Sequence, residues 1–136
     1  MTYLLDTNVL LFLYSEEAHQ LSAAQRAILS DPAHSFLLSE ASLFELAIKI
    51  RQDRADFRHV SMKRLSDFRT GVGIKLLQTV AAHYSAIPDV QKVTHNSKTH
   101  GDPFDLLILA QAQFEQLPIL STDKAFPKYS NVTVIS

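Results

Sequence analysis

"YLLDTNVLLFLY", residues 3–14, is an almost unbroken apolar run, interrupted by Asp6-Thr7-Asn8. Before the interruption, residues 2–5 read as a short buried strand. After it, residues 8–14 shift toward helical spacing. A buried strand passing directly into a helix is how an α/β chain begins. The carboxylate at the junction needs a reason, because an unpaired buried charge is costly. Asp6 either caps the helix that follows or serves a site at the strand's carboxyl end, where open α/β sheets bind their ligands.

The rest of the chain repeats the alternation. Leu21, Ala24, Ile28 and Leu29 are spaced as one face of a helix, which Asp31-Pro32 ends. Residues 35–38 predict a second strand, and Ser39 can cap a helix over residues 40–52. Leu65, Phe68 and Val72 predict a further helix, broken by Gly71 and Gly73, and residues 79–87 another, closed by Pro88. Residues 94–101, "THNSKTHG", read as a polar loop. Asp102-Pro103 starts a strong helix to about residue 116. Residues 117–121 predict a strand, 123–126 a turn or short helix, and 131–135 a last strand. Short strands, apolar on both faces and alternating with helices, predict a parallel sheet covered on both sides. The expected architecture is a three-layer α/β/α sandwich forming a single domain over residues 1–136.

Composition narrows the chemistry. The chain has 136 residues, 46% of them apolar, and a formal net charge of −1. Cysteine is absent, which removes disulfides, thiolate nucleophiles and cysteine zinc sites and suits a reducing compartment. The N-terminus has no signal-peptide pattern and no apolar run long enough to span a bilayer, so a cytoplasmic protein without membrane contact is expected. Charge is unevenly placed. From residue 49 to 75 there are eight basic residues against three acids, a net +5, whereas the remainder carries five against eleven, a net −6. Lys49, Arg51, Arg54, Arg58, Lys63 and Arg64 are therefore candidate contacts to a polyanion. The three glycines form no phosphate-cradling loop.

Taken singly, the acids have ordinary explanations. Asp6, Asp102 and Asp123 can cap helices. Glu45 can pair with Lys49 one turn on. Asp105 suits the first turn of its helix, yet its stripe continues through Ile108, Leu109 and Ala112 on the inward side. Taken together they suggest more. Asp6 and Asp123 fall at carboxyl ends of predicted parallel strands, and Asp102 and Asp105 open a helix. Carboxylates gathered on one sheet edge raise each other's pKa unless a cation sits among them. Oxygen donors select a hard ion, Mg²⁺ or Mn²⁺. Thr7, Asn8, Ser121 and Thr122 flank the acids and can support them. His95 and His100 lie in the polar loop and are candidate substrate contacts. A haloacid-dehalogenase-type phosphatase needs a second Asp where Asn8 stands, and a receiver domain needs adjacent acids near its start.

Four stretches, "LLDTNVLL" (4–11), "SEASLFELAIK" (39–49), "HGDPFDLLILAQA" (100–112) and "ILSTDKAF" (119–126), resemble in order and spacing the motifs of PIN-domain ribonucleases, in particular the VapC-type toxins of bacterial toxin–antitoxin pairs. The resemblance implies a PIN-like α/β/α fold and a Mg²⁺- or Mn²⁺-dependent endoribonuclease leaving a 5′-phosphate and a 3′-hydroxyl. It implies a cognate antitoxin and a homodimer as well. It carries Asp6, Glu45, Asp105 and Asp123 over as the catalytic, metal-binding acids, with Asp102 as an added acid or helix cap. Gly101 and Leu106 stand where members with this motif often have Arg, and Phe44 replaces a frequent Trp. The alternative reading is a catalytically inert PIN-like RNA-binding or scaffold protein whose acids only cap helices.

Overall fold

The computed structural model describes residues 1–136. In chain order the elements are β1 (Thr2–Leu5), α1 (Thr7–Tyr14), α2 (Ala23–Ser30), β2 (Ser35–Ser39), α3 (Glu40–Arg51), α4 (Met62–Gly71), β3 (Lys75–Leu77), α5 (Ala81–Ala86), β4 (Thr94–His95), β5 (Lys98–Thr99), α6 (Pro103–Glu115), β6 (Ile119–Leu120) and β7 (Val134–Ile135). Short 3₁₀ turns occupy Ala18–Gln20, Ala55–Phe57, Ile87–Asp89 and Phe126–Lys128. No helix is long and apolar enough to cross a membrane.

Five strands form one sheet in the order β3-β2-β1-β6-β7, and every neighbouring pair is parallel. Successive side chains on a strand point to opposite faces, and the core divides accordingly. Tyr3 and Leu5 of β1 and Leu120 of β6 join Val9, Leu10, Leu21, Leu46 and Leu65 on one face. Leu4 and Ile119 join Ile108, Leu109, Ala112, Phe126 and Tyr129 on the other. These two cores lie between the central sheet and the helical layers of an α/β/α sandwich. Helix α3 gives Leu46 to the first core and Ala41 to the second, so it spans the two.

Strand order reverses at β1. The chain leaves β1 for β2 on one side, and β6 later pairs with β1 on the other. Such a switch point opens a crevice at the carboxyl ends of the strands. The sheet delivers Asp6 and Asp123 to this crevice.

Two features differ from the sequence expectation. Strand β3 was not foreseen: three residues carry no periodicity, and Lys75 breaks the apolar run. It is defined by its pairing with β2 (Leu37↔Lys75, Leu38↔Leu76, Ser39↔Leu77). The turn into it uses Gly73 at φ +80°, and the Arg69 guanidinium donates to the Ile74 carbonyl at 2.6 Å. The polar loop 94–101 is a hairpin, β4 against β5, turned on Asn96 and Ser97 at φ 53° and 63°. Two consecutive left-handed residues make a type I′ turn, for which Asn-Gly is the usual signal. Ser at the second position hides that signal.

Candidate active site

Asp6 ends β1 and caps α1. Its backbone N–H donates to Leu120 O at 2.9 Å, so β6 holds it in place. The residue is 5% exposed. Oδ1 accepts from the Thr7 N–H and Oδ2 from the Ser121 hydroxyl, each at 2.8 Å. The capping role and the site role therefore coexist in one carboxylate. Ser121 also accepts from the Asp123 N–H at 3.0 Å, and Asp123 Oδ1 accepts from the Ala125 N–H at 2.8 Å. The Asp123 loop is thus fastened to Asp6 through one buried hydroxyl.

Glu45 reaches the same place from α3. Thr7 Oγ1 lies 2.9 Å from Glu45 Oε1 and 2.8 Å from Ser42 Oγ. A hydroxyl carries one proton, so Ser42 supplies the proton for one of these contacts. Lys49 Nζ donates to Glu45 Oε2 at 2.9 Å and rests over the Phe57 ring. The i,i+4 pair foreseen from the sequence exists, and the same glutamate faces the crevice.

Asp105 lies in the first turn of α6. Its N–H donates to Asp102 Oδ1 at 3.0 Å, with Pro103 at the first helical position. Asp102 is exposed and acts as the cap. The Asp105 side chain is only 17% exposed, and its Oδ2 sits 3.1 Å from His100 Nε2. The other face of that ring is held too, with Nδ1 2.5 Å from Tyr129 Oη.

The electrostatics follow from crowding. Burial, and then the charges of Asp6, Asp102, Asp123 and Glu45, push the Asp105 carboxyl up to about 8. Burial also raises Asp6, to about 6, against the lowering effect of its two hydrogen bonds. Burial and the nearby Asp105 and Asp123 raise the Tyr129 phenol above its ordinary 10.0. The full cation hydrogen-bonded to the cluster, Lys49, is committed to Glu45. A divalent cation among these groups would remove the repulsion. The donor set fits one: carboxylate oxygens from several elements, with one ligand atom each from His100, Asp105 and Asp123 within 4.8 Å of one another.

The four acids picked out in the sequence are thus brought together, and Thr7 and Ser121 support them by hydrogen bonds. Asn8 and Thr122 form no side-chain hydrogen bond. Asn8 is exposed and opens onto a separate groove with Phe12 and His59. His100 was legible only as a loop histidine, and Tyr129 not at all. The five-residue separation of His100 and Asp105 crosses a turn and a helix start, so no regular spacing marks them as partners.

The family model of the PIN domain matches residues 3–132. The chain belongs to the PIN-domain family. Solved structures share this PIN fold along nearly their whole length. The VapBC2 structure from Rickettsia felis, bound to a DNA fragment from its promoter, is similar at TM-score 0.69 and 15% identity, over 99% of this chain and 98% of that one. VapBC-1 from nontypeable Haemophilus influenzae is similar at TM-score 0.69 and 16% identity, over 100% and 98%. VapBC-5 from Mycobacterium tuberculosis, a toxin–antitoxin system, is similar at TM-score 0.61 and 18% identity, over 98% and 97%. No curated protein matches the sequence.

Among the candidate polyanion contacts of this PIN domain, most are paired locally. Arg54 meets Asp56 at 3.2 Å, Arg58 meets Asp53 at 3.8 Å and Lys63 meets Asp67 at 3.0 Å. Arg51 and Arg64 have no carboxylate partner.

Proposed function

We propose that this single-domain PIN protein is a cytoplasmic, VapC-type toxin: a metal-dependent endoribonuclease that hydrolyses RNA phosphodiester bonds at the β1/β6 crevice. The observation that carries the reading is the convergence of Asp6, Glu45, Asp105 and Asp123, drawn from four separate elements, with two of them raised by burial and mutual charge. Capping alone does not account for that convergence, since caps need not face one another.

Asp6, Glu45, Asp105 and Asp123 would hold Mg²⁺ or Mn²⁺. The bound ion supplies positive charge that polarises a phosphate oxygen and orients an attacking water. The chain's own groups prepare the place. Ser121 and the Thr7 N–H fix both oxygens of Asp6, and Thr7 fixes Glu45, so neither carboxylate has to reorganise. The basic segment after Lys49, Arg51 and Arg64 first, would hold the phosphate backbone, which the acidic centre repels. Single-stranded or looped RNA suits a crevice at the strands' carboxyl ends, where unstacked bases can enter.

The VapBC structures support an antitoxin partner for this chain. An acidic crevice attracts an arginine side chain from such an inhibitor, which would occupy the place of the metal. Phe44 on α3, Val80 just before α5, Tyr84 on α5 and Phe114 on α6 are exposed. Exposed large apolar side chains of this kind are suited to contact with a second copy of the chain. Phe44→Glu is expected to shift the protein from dimer to monomer in sedimentation. A sedimentation profile that does not move removes this surface from the proposal.

The decisive experiment is cleavage of single-stranded RNA by purified protein with added Mg²⁺. Asp6→Asn and Asp105→Asn are each expected to reduce it to background, and addition of the antitoxin to block the wild type. Cleavage that survives both substitutions overturns the mechanism. RNA binding without any cleavage by the wild type favours the inert binding protein instead.

A further inference from the structure

His100 is the one donor in the crevice that neither the four acids nor their supporting hydroxyls account for. It follows the β4–β5 hairpin, and its N–H donates to Val93 O at 2.8 Å. Its ring meets Phe126 and Tyr129 edge-on, with centroids 6.3 and 5.6 Å away. Tyr129 Oη lies 2.5 Å from Nδ1, and Nε2 lies 3.1 Å from Asp105 Oδ2. One end of the imidazole is clamped and the other is aimed at an acid of the site.

We propose that His100 Nε2 is a metal ligand, sharing the ion with Asp105 and Asp123, and that this nitrogen makes the site prefer Mn²⁺ to Mg²⁺. The inference rests on the metal-dependent reading above and adds a residue and an ion preference to it.

Three arguments carry it. A metal-bound histidine usually donates its other ring N–H to a fixed partner, which sets the tautomer. Tyr129, 2% exposed, is placed to be that partner: in the tautomer whose Nδ1–H donates to its oxygen, the lone pair lies on Nε2. Two ligands at right angles on an ion with bonds of about 2.1 Å stand about 3 Å apart. The Nε2 to Oδ2 separation of 3.1 Å matches that spacing, and Asp123 brings a third donor within 4.8 Å. Finally, Mg²⁺ takes oxygen donors almost alone, whereas transition ions gain from imidazole. The plainer role for His100 is as a hydrogen-bond partner that only orients Asp105, and that role predicts no nitrogen on the ion.

The test is pulsed electron paramagnetic resonance of the full chain loaded with Mn²⁺, in which a directly bound imidazole gives nitrogen modulation. Modulation is expected in the wild type, and ¹⁵N-histidine labelling is expected to change its pattern without altering the protein. His100→Gln is expected to abolish it. By calorimetry the same change is expected to weaken Mn²⁺ binding about tenfold and Mg²⁺ binding less than about threefold. Tyr129→Phe is expected to keep the modulation and weaken Mn²⁺ about tenfold, as loss of a supporting partner does. Bound Mn²⁺ without histidine nitrogen coupling overturns the proposal and leaves the acid site standing. So does modulation that survives His100→Gln. Failure of the wild type to bind Mn²⁺ at all overturns both readings.

Discussion

Asp105 shows at the scale of one residue how this site stores unfavourable energy for use by a ligand. Its carboxyl is held near 8, while an unfolded chain releases that proton near 3.8. Between those values the native state keeps a proton the unfolded state has lost, so the free energy of unfolding falls as pH rises. Asp6, raised to about 6, adds the same sign over the lower part of the window. The metal-free protein is therefore expected to melt at progressively lower temperature from pH 5 to pH 8. Asp105→Asn, neutral at every pH, is expected to flatten that slope and raise stability at pH 8 by about 1–2 kcal/mol. Thermal melts across the range check it, and an unchanged slope in the variant removes the account. Added Mn²⁺ is expected to restore the wild type at pH 8, by about 2.7 kcal/mol at a hundred times its Kd. The sequence permitted half of this. Inward placement of Asp105 followed from the apolar stripe of Ile108, Leu109 and Ala112, whereas the His100–Tyr129 clamp depends on a hairpin and a 3₁₀ turn that meet only in the folded chain.

Among the elements, α3 carries most of the burden of placement, since Glu45 is useful only if this helix starts in the right place. Ser39 sets the start. Its hydroxyl accepts from the Ala41 N–H at 3.0 Å and donates to Gln111 Oε1 at 2.5 Å, tying β2 and α3 to α6. Gln111, fully buried, passes the connection on through Nε2 to Thr79 Oγ1 at 3.3 Å and His83 Nδ1 at 3.4 Å. Ser39→Ala removes a helix cap and leaves a buried acceptor without its donor, an expected loss of about 2 kcal/mol in urea unfolding. A loss well under 1 kcal/mol indicates that Gln111 finds another donor. Ser39 as a cap was legible from its place before an apolar helix, as were Asp102-Pro103 and the strands β1 and β2. The bond to Gln111 was not, because a glutamine on a helix interior gives no sign of its partner. Strand β3 was equally hidden, since its existence depends on the edge of β2 rather than on its own three residues.

At the scale of the whole molecule, the proposed RNA substrate would set a polyanion against an acidic centre. The sequence places a net +5 between residues 49 and 75, and the structure shows where that charge goes. Lys49 is bound to Glu45 inside the site, while Arg54, Arg58 and Lys63 sit in exposed local pairs. Exposed pairs of this kind are weak and exchange readily, so a phosphate can compete for the cation. Arg51 and Arg64 need no exchange and are the first contacts to expect. Each cation that meets a phosphate of single-stranded RNA contributes about 0.7 to the slope of log affinity against log salt. Measured on Asp105→Asn, so that the RNA stays intact, Arg51→Ala and Arg64→Ala are each expected to lower that slope by about 0.7. Arg54→Ala is expected to lower it by less, because Asp56 shares the charge. Slopes that stay put in all three variants mean the RNA follows another face. The basic segment would then be only a solvated surface whose charges balance one another, and the crevice would have to draw its substrate in by shape and by its bound ion alone.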